Sequence, residues 1–298
     1  VSLWLTTADG KQEITSLNQM SKDQRKQFNY RFPVKKNVDT IQFAYTDGSG
    51  NGSTVDRVEI QYDHIPPIHY FKPSQVIMKP LQVKTVGKKI GYIPGAGDKV
   101  PEALQRLGYV VTVLDENEMA KQSLTQFDAI ISGVRAHNTQ EWLNGYFEKL
   151  MKYVEEGGNY IVQYNTSNQI GPVKAKIGPY PFSITRNRIT DENAIVKVLN
   201  PAHPIFNYPN KITAHDFEGW VQERSIYHGV DTAKKYETLI EMADPGENPD
   251  AGALLIARVG KGWFTYTGLS LFRQLPAGIP GSYRLLANLL ALGNEAKK

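Results

Sequence analysis

The sequence predicts an α/β fold, a doubly wound and mostly parallel sheet over residues 87–298, preceded by a small β-sandwich domain over residues 1–86. Three observations predict it. Apolar and polar residues alternate through the first part, and strand-like apolar runs alternate with helical segments through the second. The length of 298 residues suits two domains at about 100–200 residues each.

In the first part, "TIQFAYTDGSGNG" and "DRVEIQYDHIPPIHYF" have a period of two and are punctuated by Gly, Asn and Pro. That pattern describes short antiparallel strands with one face buried. "DGSGNG", residues 47–52, reads as a hairpin loop. "TSLNQMSKDQRKQFNY" has a helical composition without clear periodicity, and its state stays open.

The pattern changes at "VGKKIGYIPGAGDKVPEALQRLGYVVTVLD". Residues 89–93 form an apolar strand, "PGAGD" a Gly-rich turn, and residues 99–107 a helix stopped by Gly108; "YVVTVLD" is a second buried strand. A short polar helix over residues 116–124, the strand "FDAIISG", an amphipathic helix over residues 139–156 and the strand "NYIVQYN" follow. A Pro-rich excursion succeeds Ser167, and regular elements resume with "YETLIEMAD", "GALLIARVGKGWFTYTGLS" and a last amphipathic helix over residues 282–292. Sheets of this kind bind ligands beyond the carboxyl ends of their strands. The strand-end loops are where function is expected.

Composition narrows the function classes. Thirty-four basic residues against 30 acidic ones give a net charge of +4, with no basic stripe interleaved with aromatics, so nucleic acid is not an expected partner. The absence of cysteine removes disulfides, thiolate metal sites and a Cys nucleophile together. No apolar run approaches the ~18–20 residues of a membrane span. The chain opens on "VSLWLTTADG", with no start methionine or signal segment, and reads as a mature or excised part of something longer.

Five stretches carry polar side chains suited to chemistry. "GAGD", residues 95–98, lies between a strand and a helix, but GxGxxG fails at Val100 and Asp98 puts a carboxylate where a phosphate would sit, so it reads as a capped turn. "GVRAHNT" brings Arg135, His137 and Asn138 to a strand end; Arg135 suits a carboxylate or planar polar partner, or a structural pair. "GGNYIVQYNTSN" ends in a turn where many α/β enzymes mount a nucleophile, yet offers only Tyr164, Asn165, Thr166 and Ser167. "HDFEGWVQERSIY" gathers Asp216, Glu218, Glu223 and Arg224 around Trp220, a set suited either to sugar chemistry or to a structural network. "SLFRQLPAG" brings Arg273 toward the same crevice, whereas His203 in "NPAHPIF" reads as part of a rigid turn. No HxxH, HExxH or calcium-loop pattern occurs, and neither metal nor cofactor is expected.

Taken in order, "IGYIPGAGDKVPEAL", "FDAIISGVRAHNT", "YVEEGGNYIVQYNT", "GPYPFSITRNRITDE", "PNKITAHDFEGWVQERSIY" and "GLSLFRQLPAGIPGSYRLLANLL" resemble the C-terminal region of Bacteroidetes PIG-L (LmbE-like) deacetylase proteins. The resemblance runs from about Ile90 to the end, and "YDHIPPIHYF" suggests that it extends upstream. It implies a flavodoxin-like, class I glutamine amidotransferase-like domain without the nucleophilic Cys, and a periplasmic or secreted location. The family's zinc motifs, of the HPDD and HxxH kind, are missing: His203-Pro204 is followed by Ile205. Arg135, Gln163, Asn165, Asp216, Trp220, Glu223, Arg224 and Arg273 fall inside the matching motifs and are the candidate ligand-binding residues, with no catalytic residue among them. His137 stands where the resemblance implies an aromatic residue.

The leading expectation is a non-catalytic accessory region of a PIG-L-type deacetylase that binds a glycan or amino-sugar ligand or supports assembly with the deacetylase domain. The alternative is a hydrolase using Asp or Glu with a Ser, Thr or water nucleophile; it requires Asp216, Glu218 or Glu223 near residues 164–167. A third reading makes the polar cluster a structural brace.

Overall fold

The computed structural model describes residues 1–17, 21, 26, 27, 29, 39–166, 177–230 and 232–294. The chain divides into two compact units, Val1–Leu81 and Gln82–Lys298. The division falls five residues before the boundary expected at residues 86 and 87.

In the first unit, the strands Gly10–Ser16, Ser2–Thr7, Asp39–Thr46 and Gly52–Ser53 pair antiparallel in that order, and Gln75–Met78 pairs with Asp39–Thr46 as well. Leu5 and Ile41 form the buried centre of this sheet. The loop expected at residues 47–52 turns the chain between Asp39–Thr46 and Gly52–Ser53, where Asp47 Oδ1 accepts from the Ser49 and Asn51 amides at 2.9 and 2.8 Å. Val55–Tyr62 and Ile65–Pro73 make a separate antiparallel ribbon whose alternation sets Val58 opposite Tyr70 and Ile60 opposite Ile68. The closed two-layer core that defines a sandwich is not found among the described residues. Most of the undecided segment around residues 15–30 lies outside them.

The second unit is built on a seven-stranded mixed sheet: Glu237–Thr238, Leu254–Val259, Gly262–Thr267, Asn159–Gln163, Ala129–Ser132, Lys89–Ile93 and Val110–Val113. The last five run parallel, and the first two are antiparallel additions. Numbered in chain order, the five parallel strands have the spatial order 2-1-3-4-5, the flavodoxin-like arrangement. Their sequences explain their positions. Ala129–Ser132, Asn159–Gln163 and Gly262–Thr267 are buried throughout, as central strands covered on both faces must be. Val110 and Val113, at the edge, stay half exposed.

Helices cover both faces. Val100–Arg106, started by Pro101 and stopped by Gly108 at φ 88°, packs with Pro280–Ala291 on one face, and Phe147–Glu155 packs on the other. The single helix expected over residues 139–156 is broken into Ala136–Thr139, a 3-10 turn at Glu141–Tyr146 and Phe147–Glu155. Asn144 and Gly145, two weak helix formers in succession, lie within that turn. The last helix buries Leu285, Leu286, Leu289 and Leu290, each worth about 2–5 kcal/mol against alanine. It sits close on the Ala214–Phe217 turn because Gly281 has no side chain to overlap the Asp216 carbonyl. No helix among the described residues is long and apolar enough to cross a membrane.

Candidate functional site

Open α/β sheets leave a crevice beyond their carboxyl ends where the strand order reverses, here between Lys89–Ile93 and Ala129–Ser132. The turns after four adjacent strands carry Asp98, Arg135, Tyr164 and Arg273 to this end.

Asp98 is fully engaged. Oδ1 accepts from the Tyr92 hydroxyl at 2.9 Å and the Val100 amide at 3.0 Å, and Oδ2 from the Val134 amide at 3.0 Å and Gln163 Nε2 at 3.2 Å. One carboxylate thus ties the ends of three strands, with the capped turn expected from "GAGD" and an anion of its own in the loop. Gly95 and Gly133 allow the two loops to touch, since a side chain on either would overlap Val134 or the Tyr92 hydroxyl. Burial and the Asp98 charge push the Tyr92 phenol far above its ordinary value.

A left-handed strand-to-helix turn follows Ala129–Ser132, while the turn expected after "GGNYIVQYNTSN" runs at Ser167 into residues outside the described ones. Arg135 has φ 59° and ψ 23°, a left-handed non-glycine between Ala129–Ser132 and Ala136–Thr139. The described residues of the later turn, 164–166, contain no positive φ, and Ser167 lies outside the described residues. An elbow of this shape presents the nucleophile in α/β hydrolases. Here it presents a guanidinium, whose Nε is buried without a hydrogen-bond partner, and no ion pair to Arg135 exists among the described residues. The Arg135 amide donates to the Tyr164 carbonyl at 2.8 Å, joining the two turns.

Tyr164 anchors an aromatic group. Its ring stacks on Tyr227 at 5.4 Å between centroids and meets Phe272 at 5.3 Å; Arg273 lies over Phe272 at 4.8 Å. Glu223, its side chain 4% exposed, is held between Arg273 Nε at 2.9 Å and Arg188 Nη2 at 3.1 Å. Burial raises the Tyr164 pKa, opposed by the Arg135 and Arg273 charges and reinforced by Tyr227 and Glu223. These residues therefore share one electrostatic neighbourhood. Arg135, Tyr164, Tyr227, Phe272 and Arg273 are all partly exposed, so the group reaches solvent.

The neighbouring polar residues are braces. Asn165 accepts from the His137 amide at 3.0 Å and donates to the Gln163 carbonyl at 3.0 Å; Gln163 also donates to the Ser132 carbonyl at 3.2 Å. Asn138 pairs with both backbone groups of Thr166. His137 is buried against the Tyr160 hydroxyl at 3.0 Å, and burial pulls its pKa down to about 4, which keeps it neutral.

The "HDFEGW" residues gather elsewhere. Asp216 caps its own turn through Thr213 and pairs with Arg284 at 2.7 Å; Trp220 Nε1 donates to the Asp216 carbonyl at 3.1 Å. Arg224 is buried, donates to the Ala194 carbonyl at 3.1 Å and to that of Phe217, and lies over Trp220. Glu218 is exposed and pairs with His215. Of the eight candidates, Arg135, Gln163, Asn165, Glu223 and Arg273 converge on the strand ends, while Asp216, Trp220 and Arg224 form this separate brace.

A second constellation escaped the sequence reading. Ser225 Oγ lies 2.7 Å from His228 Nε2, and His228 Nδ1 lies 2.6 Å from Asp250 Oδ1, the order of a Ser-His-Asp relay. Asp250 is further held by the Gly252 amide at 2.7 Å and Asn187 Nδ2 at 2.7 Å. Although burial raises its pKa, hydrogen bonds led by that from His228 bring it down to about 2. Ser225 and His228 are both 0% exposed. An open cavity of about 530 Å³, lined by Arg186, Asn187, Arg188 and Asp250 among others, reaches the acid end and includes neither Ser225 nor His228. In this conformation the relay fastens two loops together and offers no face to a substrate. Its sequence signal was weak: Ser225 and His228 are three apart, but Asp250 lies 22 residues on. Tyr227, Phe272 and Arg188 were also missed, because nothing local distinguishes them from surface residues. Among the described residues no three His, Asp or Glu side chains gather to hold a metal ion.

No family model matches the chain, and no curated protein matches it in sequence. Among solved structures, it is similar to PurLQS from Thermotoga maritima, with 11% identity, a TM-score of 0.43, and coverage of 69% of this chain and 98% of the other. It is also similar to the cold-adapted β-galactosidase of Rahnella sp. R3, with 15% identity, a TM-score of 0.39, and coverage of 70% and 32%. The β-galactosidase of Bacillus circulans sp. alkalophilus gives 14% identity, a TM-score of 0.41, and coverage of 68% and 30%. The chain therefore spans about a third of the length of these β-galactosidases. With TM-scores of this size, the fold rests on the strand order described above.

Proposed function

We propose that this chain is a non-catalytic ligand-binding region of a larger deacetylase-type protein, with an amidotransferase-like domain that holds a glycan-type ligand at the carboxyl ends of its parallel strands. The observation that carries the reading is Arg135. It occupies a left-handed strand-to-helix turn, its guanidinium has no hydrogen bond or ion pair among the described residues, and it neighbours Tyr164, whose ring meets those of Tyr227 and Phe272. Aromatic faces with a few converging polar groups are suited to holding a sugar ring. Both carboxylate oxygens of Glu223 are taken up by Arg188 and Arg273. The reading is tested by calorimetry of the purified chain with amino-sugar and uronate oligosaccharides, beside turnover assays for glutamine, acyl and glycosyl substrates. Binding weakened by Tyr164→Ala without turnover is expected; turnover sinks it.

A hydrolase remains the second reading, favoured by the Ser225–His228–Asp250 geometry. It requires a conformation that uncovers Ser225. Covalent labelling by a fluorophosphonate probe, abolished in Ser225→Ala, would establish it.

A further inference from the structure

The arginines around the aromatic group are unequally engaged. Arg188 and Arg273 are paired with Glu223 and Arg188 also acts on Asp244, whereas Arg135 has no ion pair among the described residues. Asp98 accepts from four uncharged donors and makes no ion pair with Arg135 among the described residues.

Arg135 itself is disfavoured in two ways. A left-handed arginine is strained relative to glycine, and its buried Nε–H has no acceptor among the described residues. Neither feature contributes to the packing of the sheet. The side chain is nevertheless partly exposed, and a planar anion matches the fork of a guanidinium in a way that a single hydroxyl does not. We infer that the ligand is an acidic sugar whose carboxylate pairs with the Arg135 guanidinium while its ring lies against the Tyr164 and Tyr227 aromatic group. Arg273, held by Glu223, lies over the Phe272 ring beside this group.

This inference rests on the glycan-binding reading, and its test separates the two. A hyaluronan tetrasaccharide, its carboxyl-reduced form and a sulfated neutral tetrasaccharide are titrated calorimetrically into the full chain at about 0.15 M salt, with free glucuronate as a fourth probe. Carboxyl reduction is expected to weaken binding about tenfold or more, and Arg135→Ala to erase that difference, with Arg135→Lys keeping part of it. Each variant is first checked for a melting temperature no lower than that of the wild type, and Arg135→Gly serves as a second variant free of backbone strain. Equal binding of native and reduced tetrasaccharide overturns the carboxylate assignment while the glycan reading stands. Tighter binding of the sulfated sugar also overturns it, in favour of a sulfate ligand. Binding of glucuronate but of no oligosaccharide supports the carboxylate pair and removes the glycan reading. No binding by any probe overturns both.

Discussion

Arg135→Gly tests whether this side chain serves the fold or a ligand. At φ 59° and ψ 23°, an L-residue loses roughly 1–2 kcal/mol relative to its preferred conformations, a cost that glycine avoids. Glycine adds flexibility to the unfolded chain, which takes back about 0.4–1 kcal/mol. The guanidinium contributes no hydrogen bond or ion pair among the described residues, so nothing further is subtracted. The net expectation runs from about zero to 1.5 kcal/mol of stabilisation. Arg135→Ala, which keeps the strain and removes the same group, should stay within about 0.5 kcal/mol of wild type. Urea unfolding followed by circular dichroism and tryptophan fluorescence measures both. A loss of more than about 2 kcal/mol in the alanine variant would refute the reasoning, because it would mean that the guanidinium holds the protein together.

Arg224→Ala is expected to destabilise by about 2–3 kcal/mol, since it leaves the buried Ala194 and Phe217 carbonyls without a donor; the same unfolding assay checks it. Ser225→Ala should cost about 1–3 kcal/mol by stranding His228 Nε2, and the wild type should resist fluorophosphonate labelling. His137 has a folded pKa near 4 against an ordinary 6.5, so between those values the unfolded chain binds the extra proton and stability rises with pH; His137→Phe should flatten that slope in unfolding titrations. Asp250, near 2 against 3.8, stabilises fully above its unfolded value and loses that contribution as pH falls from about 4 to 2, a loss absent in Asp250→Asn.

The sequence by itself determined where the parallel strands and the first and last helices of this sheet lie, but not the break in the helix expected over residues 139–156. Lys89–Ile93 was legible to the residue, because burial on both faces forces a continuous apolar run, and the Gly108 stop marked the end of the first helix. It also determined which loops carry polar side chains, so Arg135, Gln163, Asn165, Glu223 and Arg273 could be named as candidates, and they lie together at the strand ends. Partner choice was beyond it. Nothing in "HDFEGWVQERSIY" distinguishes Glu223, which turns toward Arg188 and Arg273, from Asp216, which turns toward Arg284. The left-handed turn at Arg135 was equally invisible, since only glycine announces positive φ in a sequence. Ser225, His228 and Asp250 meet only after their loops are folded against one another. Periodicity encodes burial along one segment, whereas hydrogen-bond partners and charge balance depend on contacts between segments. Those were decided by the tertiary structure.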